Sequence, residues 1–123
     1  MSETNSLSVS AGERLRAEMD AALRRASEEL GQPADQPLEW TEQEAAALEA
    51  ACAAADRAEA LQVVFDTEKA GENRPMLLVK VSAELRALDR QVVDLLGKVN
   101  PGIGAAVSPR HQKAARGRWG VAR

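Results

Sequence analysis

Apolar residues recur at helical spacing in three separate stretches of the chain. The first runs from about Gly12 to Leu30, where Leu15, Met19, Leu23, Ala26 and Leu30 return every three or four residues. Gly31 is placed to end this helix, and Pro33 and Pro37 forbid its continuation and favour an extended linker. The second stretch opens at Trp40-Thr41-Glu42-Gln43-Glu44. Thr41 can cap the helix while Glu44, three residues on, reaches back as a capping box, and Trp40 sits where a hydrophobic staple would begin. Its apolar face passes through Leu48, Cys52, Ala55, Ala58, Leu61 and Phe65 to about Lys69, a rod of roughly 42 Å. The alanines between Ala45 and Ala60 let another helix approach closely. Gly71-Glu72-Asn73-Arg74 then breaks the pattern, and Pro75 suits the first turn of a third helix. There Leu78, Val81, Leu85, Leu88, Val92, Leu95 and Val99 alternate in steps of three and four, a coiled-coil seam sustained for three heptads.

A short turn between two long amphipathic helices makes them antiparallel neighbours. The pattern therefore predicts an all-α chain: a leader over 1–11 expected to be disordered, a shorter N-terminal helix over 12–31, a Pro-containing linker over 32–40, a long antiparallel helical hairpin over 41–99, and a flexible basic C-terminal tail over 100–123. Asn100-Pro101-Gly102-Ile103-Gly104 stops the third helix. Beyond it, Ser108 could cap a short helix with Pro109 in its first turn, and a tail disordered until bound fits equally well. The seam can pack wholly against the second helix within a monomer. Seven aliphatics against an alanine-rich partner leave apolar surface over, which favours assembly of several copies through Leu78, Val81, Leu85, Leu88, Val92 and Leu95.

Composition points the same way. Of 123 residues the only aromatics are Phe65, Trp40 and Trp119, and much of the hydrophobic content is alanine. At roughly 25 cal/mol per Å² of buried apolar surface, so thin a core gives a lone monomer limited stability. The opening segment is polar and lacks a basic region followed by an apolar one, so no secretory signal is read there. No run approaches the roughly 20 apolar residues that cross a bilayer. With its lone Cys52, the chain is expected to be cytosolic, without membrane association.

Charge changes the picture more. All 19 acidic residues lie at or before Asp94, and with ten basic groups they leave residues 1–94 at −9. Residues 95–123 carry Lys98, Arg110, Lys113, Arg116, Arg118 and Arg123 with no acid, a net +6. An acidic body with a basic tail is the asymmetry of an arm that meets a polyanion. Such a tail can also merely solubilise the chain or lie on its own acidic body. Five cations within residues 110–123, each able to meet a phosphate oxygen, argue for a macromolecular partner. Trp119 beside Arg118 can stack on a base or dock into a protein. Arg110, His111, Lys113, Arg116, Arg118, Trp119 and Arg123 are thus the candidate DNA-binding residues, and they suit an acidic protein surface equally. Arg14, Arg16, Arg24 and Arg25 on the first helix are interleaved with acids, Asp20 and Arg24 being spaced as a pair, which describes a solvated face.

Catalytic chemistry finds no foothold. The only histidine, His111, lies in the tail, away from any shell that would hold a base. Cys52 is expected to be buried and inert. A helix-borne metal pair is missing, and the glycines at 102 and 104 lack a following Gly-Lys-Ser/Thr, so neither a metal, a cofactor nor a small-molecule substrate is expected. The reading is of a non-enzymatic protein.

The residues also resemble a known family. The Trp40-Thr41-Glu42-Gln43-Glu44 helix start leads through Ala55-Asp56-Arg57-Ala58-Glu59 to a polar turn with a proline. The Val81-Ser82-Ala83-Glu84-Leu85-Arg86 helix follows, then a tail Ser108-Pro109-Arg110-His111-Gln112-Lys113-Ala114-Ala115-Arg116-Gly117-Arg118-Trp119. This resembles the terminase small subunits of tailed bacteriophages that infect actinobacteria, over about residues 38–120. The resemblance implies a ring-shaped homo-oligomer of helical hairpins that is DNA-binding and serves viral genome packaging in the host cytoplasm. Such a subunit recognises double-stranded viral DNA and delivers it to the large terminase subunit, an ATPase–nuclease, and itself carries no nuclease and no cofactor. The N-terminal helix-turn-helix of many family members is missing, which moves the expected DNA contact to the tail. The other reading is a helical oligomeric adaptor whose basic tail docks an acidic protein partner.

Overall fold

The computed structural model describes residues 9–99. It has three helices and, among the described residues, no strand: α1 Ala11–Glu29, α2 Glu42–Ala70 and α3 Pro75–Leu96. The leader before Val9 and the basic tail after Val99 lie outside the described residues.

Each helix boundary has a local cause. Ser10 is extended and its Oγ accepts from Glu13 N at 3.1 Å, while Glu13 Oε1 accepts from Ser10 N at 2.9 Å, a reciprocal cap at the start of α1. At its end Gly31 takes φ 75°, Gly31 N donates to Glu28 O and Gln32 N to Ser27 O, both at 3.0 Å. That left-handed residue satisfies the last carbonyls, and glycine adopts it without a Cβ penalty. α2 starts on the capping box read from the sequence: Thr41 Oγ1 accepts from Glu44 N at 3.1 Å and Glu44 Oε1 from Thr41 N at 3.0 Å. At the hairpin turn Asn73 has φ 54°, and Arg74 precedes Pro75 in the first turn of α3.

α2 is the central helix; α1 and α3 each pack on it and not on one another. α1 runs antiparallel to it, with Gly12 beside Cys52 and Asp56 and Met19 beside Leu48. The alanines of α2 serve this close packing: Ala51 and Ala54 are fully buried, as is Leu48. The core lies at the base of the hairpin. Leu23 and Ala26 of α1 meet Leu38 of the linker, with Leu30 and Trp40 against them. Ala47 and Leu48 meet Val99, with Met19, Trp40, Cys52, Leu95 and Leu96 around them. The linker is therefore part of the core: Leu38 is buried, and its N–H donates to Ser27 Oγ at 3.0 Å.

Trp40 packs on both clusters, and its indole N–H donates to Asp20 Oδ1 at 3.0 Å. One local expectation is corrected. Asp20 pairs with Arg16 at 3.2 Å rather than with Arg24, and the same carboxylate accepts the Trp40 indole N–H.

Candidate functional site

Because α1 begins at Ala11, level with Glu59, the hairpin beyond that point is two helices thick among the described residues. Where α1 stops, an open groove of about 640 Å³ lies over α2 between the start of α1 and the outer side of α3. Ala55, Ala58 and Val63 of α2 and Leu85, Val92 and Val93 of α3 make it apolar, with Ala11 at one end. Its charged rim consists of Arg14, Glu59 and Asp89.

The acids of α2 at this level hold the start of α1. Ala11 N donates to Glu59 Oε1 at 2.9 Å, and Gly12 N to Asp56 Oδ1 at 2.7 Å. Carboxylates at the amide-rich end of a helix also meet the positive end of its dipole. Arg14 adds an ion pair to Glu59 at 3.2 Å. The Ala11 N–H first, then the Arg14 guanidinium, hold the Glu59 carboxyl below its ordinary range. Gly12 is what permits the approach, since a Cβ there would stand 2.5 Å from the Cys52 carbonyl oxygen and 2.8 Å from Asp56 Oδ2. Asp89 has no hydrogen bond or ion pair among the described residues.

The turn end is closed by charge. Glu68 is buried and takes three bonds from Arg74: Nε to Oε2 at 2.8 Å, Nη2 to Oε1 at 2.9 Å and the backbone N to Oε2 at 2.9 Å. These bonds lower the Glu68 pKa to about 2. At the base, a second hollow of about 570 Å³ is bordered by Glu44, Leu95 and Lys98. Glu44 is buried there, with Oε2 left without a hydrogen-bond partner.

All seven candidate DNA-binding residues, Arg110, His111, Lys113, Arg116, Arg118, Trp119 and Arg123, lie outside the described residues. The six seam residues all lie within α3. Val81 is buried, and Leu78, Leu85, Leu88, Val92 and Leu95 are half-buried on the side that meets α2. The largest exposed aliphatics lie off that seam: Met76, Val79 and Val93 on α3, Val63 and Val64 on α2. The signal was present in the sequence as apolar residues out of register with the heptad, which periodicity alone passes over. Cys52 is partly buried, and that burial pushes its thiol up, as befits an unreactive side chain. Among the described residues no cluster of three or more His, Cys, Asp or Glu could hold a metal, and no helix is long and apolar enough to cross a membrane.

No family model, curated protein or solved structure matches this chain.

Proposed function

We propose that the chain is a small terminase subunit: an oligomer of helical hairpins that binds viral double-stranded DNA through its basic tail and hands it to the large ATPase–nuclease subunit. The observation that carries this reading is the separation of charge, with every acid at or before Asp94 and six cations after it. The hairpin gives that arm a rigid base, and the resemblance of the helix starts and of the tail to small terminase subunits supplies the biological setting. The half-buried seam positions, together with the exposed Met76 and Val79, provide the apolar surface through which copies assemble. A sedimentation experiment at tens of micromolar protein checks that part; a monomer overturns it.

DNA binding is tested by fluorescence anisotropy with phage genome-end DNA, comparing the full chain with a variant in which Arg110, Lys113, Arg116 and Arg118 are all glutamine. Five phosphate contacts give a slope of log K against log salt near −4.5, so raising salt from about 50 to 200 mM should weaken binding about 500-fold. The variant should lose most of the affinity and most of the slope. Equal binding by both proteins moves DNA recognition to the helical body. Binding by neither turns the tail into a protein-docking segment, and the adaptor reading replaces this one.

A further inference from the structure

The groove beside α1 combines an apolar floor with two carboxylates on its rim, Glu59 paired with Arg14 and Asp89 with no partner among the described residues, and the same chain contains a segment of the opposite character. We propose that, in the absence of DNA, the basic segment 105–123 of the same chain docks in this groove. Its aliphatic and aromatic side chains lie on the floor around Ala58, Val63 and Val92, and its cations face Glu59 and Asp89. This rests on the reading of the tail as a polyanion-binding arm and adds that the arm has a seat on its own body.

Three observations choose this occupant. The first is charge. On the groove rim Glu59 and Asp89 stand against Arg14, Asp89 is exposed and has no partner among the described residues, and segment 105–123 holds five cations and no acid. The second is composition. Val107, Ala114, Ala115, Trp119 and Val121 alternate with those cations, so one extended segment presents both apolar and charged groups. The third is reach. The described chain ends at Val99, packed at the base beside Leu48, and the groove spans Leu85 to Val93 on α3. From Leu96 back to Leu85 is roughly 17 Å along a helix, a distance that six extended residues cover at about 3.3 Å each. Arg110 lies far enough past Val99 to arrive with chain to spare.

Other occupants fit less well. The leader, residues 1–8, leaves the described chain at Val9 beside the groove but holds Glu3 and neither Lys nor Arg. A second copy seated here would set acids of another body, net −9 over residues 1–94, against Glu59 and Asp89 on the groove rim, which repel; the apolar face at Met76 and Val79 lies off this groove and stays open to assembly. The consequence of a seated arm is competition. The cations that face the groove are those DNA would use, so apparent DNA affinity falls in proportion to the fraction of free arms.

The test uses the full chain and a zero-length carbodiimide, which joins a lysine amine to a carboxylate as an amide with loss of water. Segment 105–123 has one lysine, Lys113, so its cross-links report the position of the arm. An equal mixture of ¹⁵N-labelled and unlabelled chains, read by mass spectrometry, separates links within a chain from links between chains. The expected result at low salt is a dominant within-chain link from Lys113 to Asp89 or Glu59. It should disappear at about 1 M salt, where the screening length is near 3 Å. Asp89→Asn should raise DNA affinity about threefold if roughly two-thirds of arms are seated. Glu84→Gln, the same charge change on the opposite side of α3, should leave affinity unchanged. Links scattered over Glu49, Asp66 and Glu84, links between chains, no Lys113 link to the groove, or equal effects of the two variants would each overturn the proposal. The cross-link is read without DNA: a groove link with no DNA binding retires the terminase reading alone, and DNA binding with no groove link retires only the seat.

Discussion

At the base of the hairpin α2 is flanked on both sides, and Leu48, Ala51 and Ala54 are fully buried between α1 and α3. At the turn end it has α3 alone. There Val63 and Val79 are 61% and 64% exposed, and the buried groups are Val81 and a carboxylate, Glu68. The base is held by packing and by hydrogen bonds that reach across the sequence, from Leu38 to Ser27 and from Trp40 to Asp20. The turn end is held by one arginine folded back on Glu68 at 2.8 Å, with Glu72 at 3.3 Å from the same guanidinium. Apolar contacts cooperate because each excludes water from the next, whereas an ion pair with a half-exposed arginine acts on its immediate surroundings. The two ends should therefore open separately, the base with global unfolding and the turn end by local opening.

The largest break is expected at the base. Leu48→Ala removes the one large side chain that is completely buried among the described residues, and with Met19 of α1 and Leu95 and Leu96 of α3 packed around that site a cavity should remain. A loss of about 3 kcal/mol is expected, enough to lower the urea midpoint measured by circular dichroism sharply. Hydrogen exchange should accelerate along all three helices. Exchange confined to the base would mean that the base is not the cooperative unit.

Gly12→Ala comes next and has the opposite sign to ordinary helix propensity. In an exposed helix this change stabilises by up to about 1 kcal/mol. Here the new methyl would stand 2.5 Å from a backbone oxygen of α2, which cannot swing away as a side chain can. Overpacking of this kind costs about 1–3 kcal/mol, and the start of α1 should lose exchange protection first. A third step, Ser27→Ala, strands the Leu38 N–H in a buried site and should cost about 1–2 kcal/mol in the same denaturation experiment. It should leave the turn end untouched.

Much of this architecture is written locally. The capping box at Thr41 and Glu44, the glycine after α1 and the proline at the start of α3 are short-range signals, because each satisfies backbone groups within a turn of itself. The long-range choices are less visible. Nothing in the spacing of Pro33 and Pro37 announces that Leu38 is core, since its burial depends on where α1 folds back. Nor does the heptad tell which side of α3 is left bare. It marks Leu78 to Leu95, the side that meets α2, while Met76, Val79 and Val93 stay outside. The groove is the extreme case. Its lining comes from three helices and exists because α1 stops at Ala11, so no window of sequence contains it. Of the candidate site, the sequence carried the charge asymmetry and the acids of α2. It could not reveal that Glu59 and Asp56 are committed to the first amides of α1 while Asp89 is not.

The smallest effect belongs to the turn end and separates the two regions most directly. Glu68 has its pKa lowered to about 2 by the Arg74 side chain and backbone N–H, against an ordinary glutamate near 4.3 in the unfolded chain. Because the folded value is the lower one, the contribution of this contact is fully present above about pH 4.3 and is lost as pH falls towards 2. Arg74 remains charged throughout, so within the Glu68–Arg74 pair only the glutamate titrates. Between these limits the amides of residues 68–78 should lose hydrogen-exchange protection, corrected for the intrinsic rate at each pH, while those around Leu48 and Leu23 keep theirs. Glu68→Gln should flatten that local pH dependence and leave the base as it is. Amides of base and turn end losing protection together as the acid is titrated would mean that α2 transmits the loss along its length. The packed base and the ion-paired turn would then be one cooperative unit.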